Sequence, residues 1–248
     1  MAASRVVRRW LPQQHGAWAM LVVPFLAGMF LGTPSPWHVL LLLAWLLAYL
    51  ATYHLQQWLR LRRVSRNPKA PARHVRPLVV FGAALAPPGL ALVVHAPWLL
   101  LAALAALPFL AVNCWYAARN RERATLNGLV AVVPACGMLP VALHLGGGGF
   151  GRAATLTCLL YFAGTVLYVK TMIRERGSAA YRWASGAYHA VALAVGVVLS
   201  PWVGVFFAVC LGRALLMPTL GRVRVGVVGA VEVVLSVALL GVLVSVYG

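Results

Sequence analysis

Long apolar segments alternate with short polar loops along the whole chain. A helix needs roughly 17–25 apolar residues to cross a bilayer, because its rise is about 1.5 Å per residue. The pattern predicts nine such helices, at about residues 11–31, 37–58, 77–95, 98–118, 124–145, 153–173, 183–199, 202–218 and 225–247. Only Ser200 and Pro201 punctuate the sequence between the seventh and eighth predicted spans.

The composition agrees with this pattern. The mean hydropathy is +0.88 and 10% of the residues are charged, values typical of polytopic membrane proteins rather than soluble domains. We therefore expect an all-α bundle that forms a single integral membrane domain over residues 1–248. The first apolar segment has no small-residue cleavage site, so we expect it to belong to the bundle and not to a removed signal peptide.

The basic residues predict the orientation of the bundle, because Lys and Arg concentrate in cytoplasmic loops. Of the 21 Lys and Arg residues, all except Arg152 lie on one side of a nine-span arrangement. This places the N-terminus in the cytoplasm and the C-terminus outside. The net charge of +18 is then an orientation signal and an attraction for anionic lipid, not a sign of a nucleic-acid partner. The Arg-rich, Lys-poor composition favours a bacterial plasma membrane.

Polar side chains that interrupt the apolar segments fall on the same predicted cytoplasmic side. The first group opens the chain's first apolar segment, in QQHGAWAM; if that helix starts near Leu11, with Pro12 in its first turn, these residues lie at the interface. We predict that His15, Asn113, Lys170 and His189 line one cavity open to the cytoplasm. The full set of candidate ligand-binding residues is Gln14, His15, Asn113, Tyr116, Asn120, Glu122, Asn127, Lys170, Arg174, Glu175, His189, Arg213 and Glu232. The alternative is that they cap helices and contact lipid head groups.

The three carboxylates have different expected roles. Glu122 precedes the fifth span, where an acid complements the helix dipole, and Glu175 is expected to pair with a neighbouring arginine. Glu232 lies about 10 Å inside the last span, where a lone charge is costly. We predict that it faces the bundle interior and pairs with Lys170 or Arg213, with Ser236 available as a second partner.

Four segments resemble the YwiC-like family of bacterial multi-pass membrane proteins. They are QHGAWAM, NCWYAARNRERATLNG, YVKTMIRER and the Tyr188-His189 pair, together with the acid in the last span. The resemblance covers essentially the whole chain and implies a multi-pass membrane protein, without implying a reaction. The family usually carries Asp where this chain has Gly128, so no essential carboxylate is expected there.

A weaker resemblance connects the chain with UbiA-type intramembrane prenyltransferases. They also have nine helices, and Arg76-Pro77-Leu78 is similar to the sequence that follows their first Asp-rich motif. This chain contains no Asp, and Mg²⁺ requires hard carboxylate oxygens to hold a diphosphate. The resemblance therefore implies a shared architecture without the Mg²⁺-dependent chemistry. The four cysteines have no metal-ligand spacing and are expected to pack, so we expect no metal or cofactor.

Three functions remain open from the sequence. The first is a cytoplasm-facing cationic cavity that binds an anionic amphiphile, such as a prenyl or phospholipid head group, with or without catalysis. The second is a transporter or proton-coupled carrier, which intramembrane ionisable residues favour; the absence of polar residues from the outer half weighs against it. The third is a non-catalytic membrane subunit or assembly factor. The sequence does not determine the oligomeric state.

Overall fold

The structure, a computed structural model, describes residues 10–12, 15–221 and 223–248. Over these residues the chain is helical, with nine α-helices and one short 3₁₀ helix. The α-helices are α1 His15–Leu31, α2 Pro36–Val64, α3 Lys69–His95, α4 Trp98–Ala118, α5 Thr125–Leu145, α6 Arg152–Ile173, α7 Ala179–Leu199, α8 Pro201–Leu216 and α9 Val225–Tyr247; the 3₁₀ helix Met217–Leu220 follows α8.

Eight helices are long and apolar enough to cross a membrane. They are α2 to α7, α8 extended to Leu220, and α9. The remaining helix, α1, is apolar but has 17 residues, which is at the lower limit for a span. The predicted all-α, multi-span fold is therefore confirmed, whereas the orientation of the spans stays a prediction.

The predicted start of the first helix is wrong. Leu11 lies in a bend and Pro12 in irregular backbone, and α1 begins at His15. Pro12 therefore does not occupy a first helical turn. Gln13 and Gln14 lie outside the described residues, as does the side chain of His15.

The loop between the second and third predicted spans is shorter than their predicted ends, at residues 58 and 77, indicate. Helix α2 continues to Val64 and α3 already begins at Lys69, so the helices extend beyond the apolar segments. The basic residues there belong mostly to helix ends, where long side chains reach water while the backbone keeps its hydrogen bonds. By contrast, the boundary between α7 and α8 is confirmed: Ser200 is extended, and Pro201 takes the first position of α8, where its missing N–H is not needed.

The chain divides into two compact units. Unit 1 comprises residues 1–14 and 34–131, and unit 2 comprises residues 15–33 and 132–248. Unit 1 thus contains α2, α3, α4 and the start of α5. In unit 2, α1 packs against α9, α6 contacts α7 and α9, and α7 packs against α8.

Close helix packing characterises unit 2. Its core includes fully buried side chains from α5, α6, α8 and α9, such as Leu139, Cys158, Val203 and Leu239. Gly28 of α1 lies against α5, where an added Cβ would overlap the carbonyl oxygen of Leu139 and lie 2.9 Å from the Cβ of Ala142. This position requires glycine because two helix backbones approach there without space for a side chain.

Candidate functional site

A buried ion pair joins α8 and α9 inside unit 2. Arg213 donates from Nη1 to Oε1 of Glu232, and both residues are buried. The second carboxylate oxygen, Oε2, accepts a hydrogen bond of 2.8 Å from the Thr165 hydroxyl of α6. The prediction that Glu232 faces the interior and pairs with Arg213 is confirmed. Its charge is thus compensated by a cation and a hydroxyl, as burial requires.

His189 of α7 contacts the same arginine. Its Nδ1 lies 2.7 Å from the backbone oxygen of Ser185, which can only accept, so Nδ1 carries the proton. Its Nε2 then accepts from Nη2 of Arg213 at 3.3 Å. An added Cβ on Gly164 of α6 would lie 3.0 Å from this Nε2, so glycine at that position makes room for the imidazole. His189 is therefore a neutral base held against a buried guanidinium.

Three buried polar atoms around this arginine have no hydrogen-bond partner among the described residues. They are Nε of Arg213, the hydroxyl of Tyr168 and the hydroxyl of Ser185. The Tyr168 ring lies under the guanidinium, 4.1 Å from its central carbon. Buried polar atoms in proteins are normally satisfied by protein or ordered water. The cluster therefore has capacity for further small polar partners.

Hydroxyl groups continue from the ion pair along α6 and α9. The Tyr161 hydroxyl lies 3.2 Å from that of Ser236, and both donate to the backbone oxygen of Glu232. Ser236 therefore contacts the backbone of Glu232 and not its carboxylate, which corrects the predicted contact. Further along, the Thr157 hydroxyl lies 3.1 Å from that of Tyr247. Thr157, Tyr161 and Tyr247 were not among the sequence candidates, because isolated hydroxyls within an apolar segment give little signal.

An open pocket lies at the end of unit 2 where α6 ends and α9 begins. Its volume is about 440 Å³, and its lining combines aliphatic side chains with two arginines: Met172, Ile173, Arg176, Val223, Arg224 and Val225. Arg176 also donates to the backbone oxygen of Val223 at 3.3 Å. None of these residues was among the sequence candidates for ligand binding.

A second polar cluster lies in unit 1 at the turn between α4 and α5. Asn120 adopts the left-handed conformation, with φ of 55°, and closes α4: its own N–H bonds to Ala117 and that of Arg121 to Tyr116, as in a Schellman motif. This turn presents the Asn120 side chain to α2, where Arg60 donates to Oδ1 at 2.8 Å. Arg60 also forms an ion pair of 3.1 Å with Glu122. Glu122 is therefore paired with a side chain, in addition to preceding a helix as predicted.

Two asparagines secure the base of the same turn. Asn113 of α4 donates to Oδ1 of Asn127 of α5 at 2.7 Å, and Asn127 donates to the backbone oxygen of Glu122 at 2.8 Å. Oε2 of Glu122 is buried and has no hydrogen-bond partner in the part of the chain that the structure describes. The Asn113 amide therefore forms a hydrogen bond between α4 and α5.

The remaining sequence candidates have other surroundings. Lys170 lies with Nζ 5.7 Å from the centre of the Tyr181 ring and does not provide the predicted partner of Glu232. Arg174 caps the end of α6, and Glu175 follows it in the turn, where its N–H donates to Lys170. Tyr116 packs edge-on against Trp115. Gln14, the side chain of His15 and Arg222 lie outside the described residues.

The single predicted cavity combined residues that now fall in different units. Asn113 belongs to unit 1, whereas Lys170 and His189 belong to unit 2. Within its own unit, Asn113 bonds to Asn127 and His189 to Arg213. A shared cavity for these side chains therefore stays a prediction.

A pair of histidines in unit 1 was not among the predicted sites. His54 of α2 and His74 of α3 approach with their Nδ1 atoms 2.8 Å apart, and Nε2 of His54 bonds to the backbone oxygen of Trp10 at 3.1 Å. Because that oxygen can only accept, Nδ1 of His54 accepts from His74. In the described parts of the chain, no three His, Cys, Asp or Glu side chains converge as metal ligands.

The helical architecture and the buried charges define a multi-pass membrane protein. Comparison with known proteins identifies its relatives: a family model described as YwiC-like protein matches residues 11–143. The chain belongs to the YwiC-like family. The matched residues include the Arg60–Glu122 cluster of unit 1 and end before α6.

Two curated proteins extend the similarity beyond the matched segment. The uncharacterized protein YwiC of Bacillus subtilis (strain 168) is 35% identical over 182 residues, covering 72% of this chain and 73% of the relative. An uncharacterized protein of Haemophilus influenzae is 30% identical over 226 residues, covering 90% of this chain and 92% of the relative. No solved structure matches the chain, so the similarity to UbiA-type proteins stays a prediction.

Proposed function

We propose that this protein binds the head group of an anionic amphiphile, such as a prenyl phosphate or an anionic phospholipid, in the pocket at the end of α6 and the start of α9. We further propose that the pocket opens to the cytoplasm at a bacterial plasma membrane. The bacterial relatives and the concentration of basic residues at this end of unit 2 support that placement.

The observation that carries the proposal is the combination of two arginines with an aliphatic lining. The volume of about 440 Å³ falls within the roughly 300–1,000 Å³ of small-molecule sites. Arg176 and Arg224 offer planar donor arrays that suit phosphate oxygens. Met172, Ile173 and the valines offer an apolar surface for the first methylene groups of a lipid chain. A free hydrophilic anion would use only the arginines, whereas an amphiphile uses both parts.

Native mass spectrometry of the purified protein with its lipid retained tests the proposal. We expect a bound anionic lipid at one per chain, and we expect the double substitution Arg176→Gln and Arg224→Gln to remove it. Neutral Gln keeps a hydrogen-bonding side chain and loses the charge. Arg182→Gln is the matched control, because Arg182 is exposed near the start of α7 and does not line the pocket.

Two results would contradict the proposal. One is retention of the same anionic lipid by the double variant at the level of the unmodified protein. The other is equal loss of lipid in the Arg182→Gln control, because that would reflect general attraction between a basic face and anionic lipid. Reporter fusions at residues 174–178 would test the cytoplasmic placement separately.

A further inference from the structure

We propose that unit 2 conducts protons along a row of hydroxyl side chains at the interface of α6 and α9, which we call the seam. In this proposal Glu232 is the residue that is transiently protonated. This activity is independent of the head-group pocket. It rests on the arrangement of buried polar side chains in the membrane-spanning part of unit 2, which packing alone does not require.

One face of α6 carries the seam. Five hydroxyl side chains recur on it at intervals of three or four residues, which is the spacing of one helix face. They extend over 14 residues, or about 21 Å along the axis, which is about two thirds of a bilayer core of about 30 Å. These residues are Thr157, Tyr161, Thr165, Tyr168 and Thr171, of which all but Thr165 are buried.

The opposite side of the seam is α9, which supplies Tyr247, Ser236 and Glu232 in the reverse order. Thr157 meets Tyr247, Tyr161 meets Ser236, and Thr165 donates to Glu232. Hydroxyl groups both donate and accept, but here Tyr161 and Ser236 donate to the backbone oxygen of Glu232 and Thr157 donates to that of Ala153. Proton transfer along the seam therefore requires these hydroxyls to rotate from the carbonyls onto one another. Two helices in lipid can also associate by close packing of small residues, so hydroxyl side chains are not required to hold α6 and α9 together.

The central proton transfer is balanced at Thr165 and Glu232. A water molecule gives a proton to the Thr165 oxygen, and the hydroxyl proton of Thr165 passes to Oε2 of Glu232. One O–H bond breaks on the water and one forms on Glu232. Thr165 gains one O–H bond and loses another, so it remains a neutral hydroxyl. The hydroxide left behind takes a proton from the next water, so the proton deficit moves to the bulk solvent. Release is the same exchange on the other side: Glu232 gives its proton to a water that has entered the interval towards Tyr247, the hydronium passes that proton to further water, and the carboxylate is restored.

Arg213 and His189 allow Glu232 to be either ionised or protonated without leaving a buried charge unpaired. When Glu232 is ionised, its charge is compensated by Arg213. When Glu232 is protonated, Arg213 still contacts Nε2 of His189 and the ring of Tyr168, so the guanidinium is not left without partners.

Water completes the route in two places. Towards the end of α6 that carries Lys170, the unpartnered hydroxyls of Tyr168 and Ser185 provide attachment points for water. In the opposite direction, Leu239 and Leu243 of α9 are fully buried between Ser236 and Tyr247. Conduction is therefore slow, because water must enter this apolar interval transiently.

The test uses the full chain reconstituted into liposomes that contain a trapped pH-sensitive dye. A potassium gradient with valinomycin imposes an inside-negative potential, and acidification of the lumen is recorded. We expect the protein to accelerate acidification several-fold over protein-free liposomes. Thr165→Val should abolish the protein-dependent rate, because it removes the hydroxyl on Glu232 and leaves the ion pair intact.

Matched controls separate conduction from folding. Tyr161→Phe, a second seam variant, should also lower the rate. Thr155→Val and Tyr188→Phe make the same chemical changes outside the seam, where the hydroxyls bond to Phe150 and Leu160, and should leave the rate unchanged. Thermal unfolding in detergent identifies any variant that is misfolded. If one of the two seam variants is misfolded, the conduction rate of the other one tests the proposal.

The proposal is overturned by either of two outcomes. In the first, liposomes with the unmodified protein acidify no faster than protein-free liposomes. In the second, a folded Thr165→Val or Tyr161→Phe variant conducts as fast as its control. The second outcome would leave the hydroxyl seam as a purely structural interface.

Discussion

Among the described residues, units 1 and 2 each contain one Arg–Glu pair, and the two pairs differ in their exposure to water. The Arg60 and Glu122 side chains retain 29% and 20% of their exposure, whereas those of Arg213 and Glu232 retain 5% and 7%. Water screens the first pair and contributes to its solvation. In unit 2 most of the partners come from the protein, namely the Thr165 hydroxyl, His189 and the Tyr168 ring, whereas Nε of Arg213 has no hydrogen-bond partner among the described residues. The same two residue types therefore form a surface connection in one unit and an internal polar core in the other.

The backbone around the two pairs differs in the same way. In unit 1 the positions of Asn120 and Glu122 follow from the local geometry of a turn, and Arg60 reaches them from α2 with a long side chain that is partly exposed. In unit 2 the paired residues come from separate helices, 19 residues apart in sequence, and depend on helix packing. Disrupting the first pair should therefore act locally, and disrupting the second should act on the whole unit.

The largest expected effect comes from removing one partner of the buried pair. Glu232→Leu leaves Arg213 charged and buried, which typically costs about 3–5 kcal/mol of folding free energy. Thermal or denaturant unfolding in detergent measures this loss. The double variant Arg213→Leu with Glu232→Leu should recover most of it, since no lone charge remains. If the double variant is less stable than Glu232→Leu, the pair is not the source of the loss.

A smaller effect is expected from helix packing. Gly28→Ala in unit 2 forces α1 away from Leu139, and such overpacking costs about 1–3 kcal/mol. Gly82→Ala in α3 of unit 1 is the matched control, because an added Cβ there meets nothing within 4 Å. We expect the control to be neutral or slightly stabilising, since alanine favours helices. If both substitutions destabilise the protein equally, the expectation that helices pack more closely at Gly28 than at Gly82 is wrong.

The smallest effect is expected at the surface pair of unit 1. Glu122→Gln or Arg60→Gln should change stability by about 0–1 kcal/mol, because ion pairs that water can still reach contribute little. The double-mutant cycle on unfolding measures the coupling between them. A coupling as large as that of the buried pair would show that the turn is more deeply desolvated than its exposure indicates.

The helical architecture could be read from the sequence because hydrocarbon thickness fixes the length of an apolar segment. The Arg213–Glu232 pair was also predictable, since few cations lie at the depth of Glu232. The Asn113–Asn127 bond could have been found, because both residues lie seven positions from Asn120, where the chain reverses. His54 and His74 gave no such signal, because their contact depends on the register between two helices. The hydroxyl face of α6 gives little signal in the sequence, because Thr and Tyr lower the hydropathy of an apolar segment much less than charged residues do.

The discontinuity of unit 2 in the chain has a consequence for biosynthesis. Helix α1 packs against α9, so α1 finds this partner only after the whole of the intervening sequence and α9 have been made. At about 5–20 residues per second, the intervening sequence takes roughly 10–40 s to synthesise. Once residue 131 has been made, unit 1 has all its helices, while α1 still lacks α9. The nascent chain must therefore retain α1 beside the insertion machinery, or in the lipid, until α9 has been made.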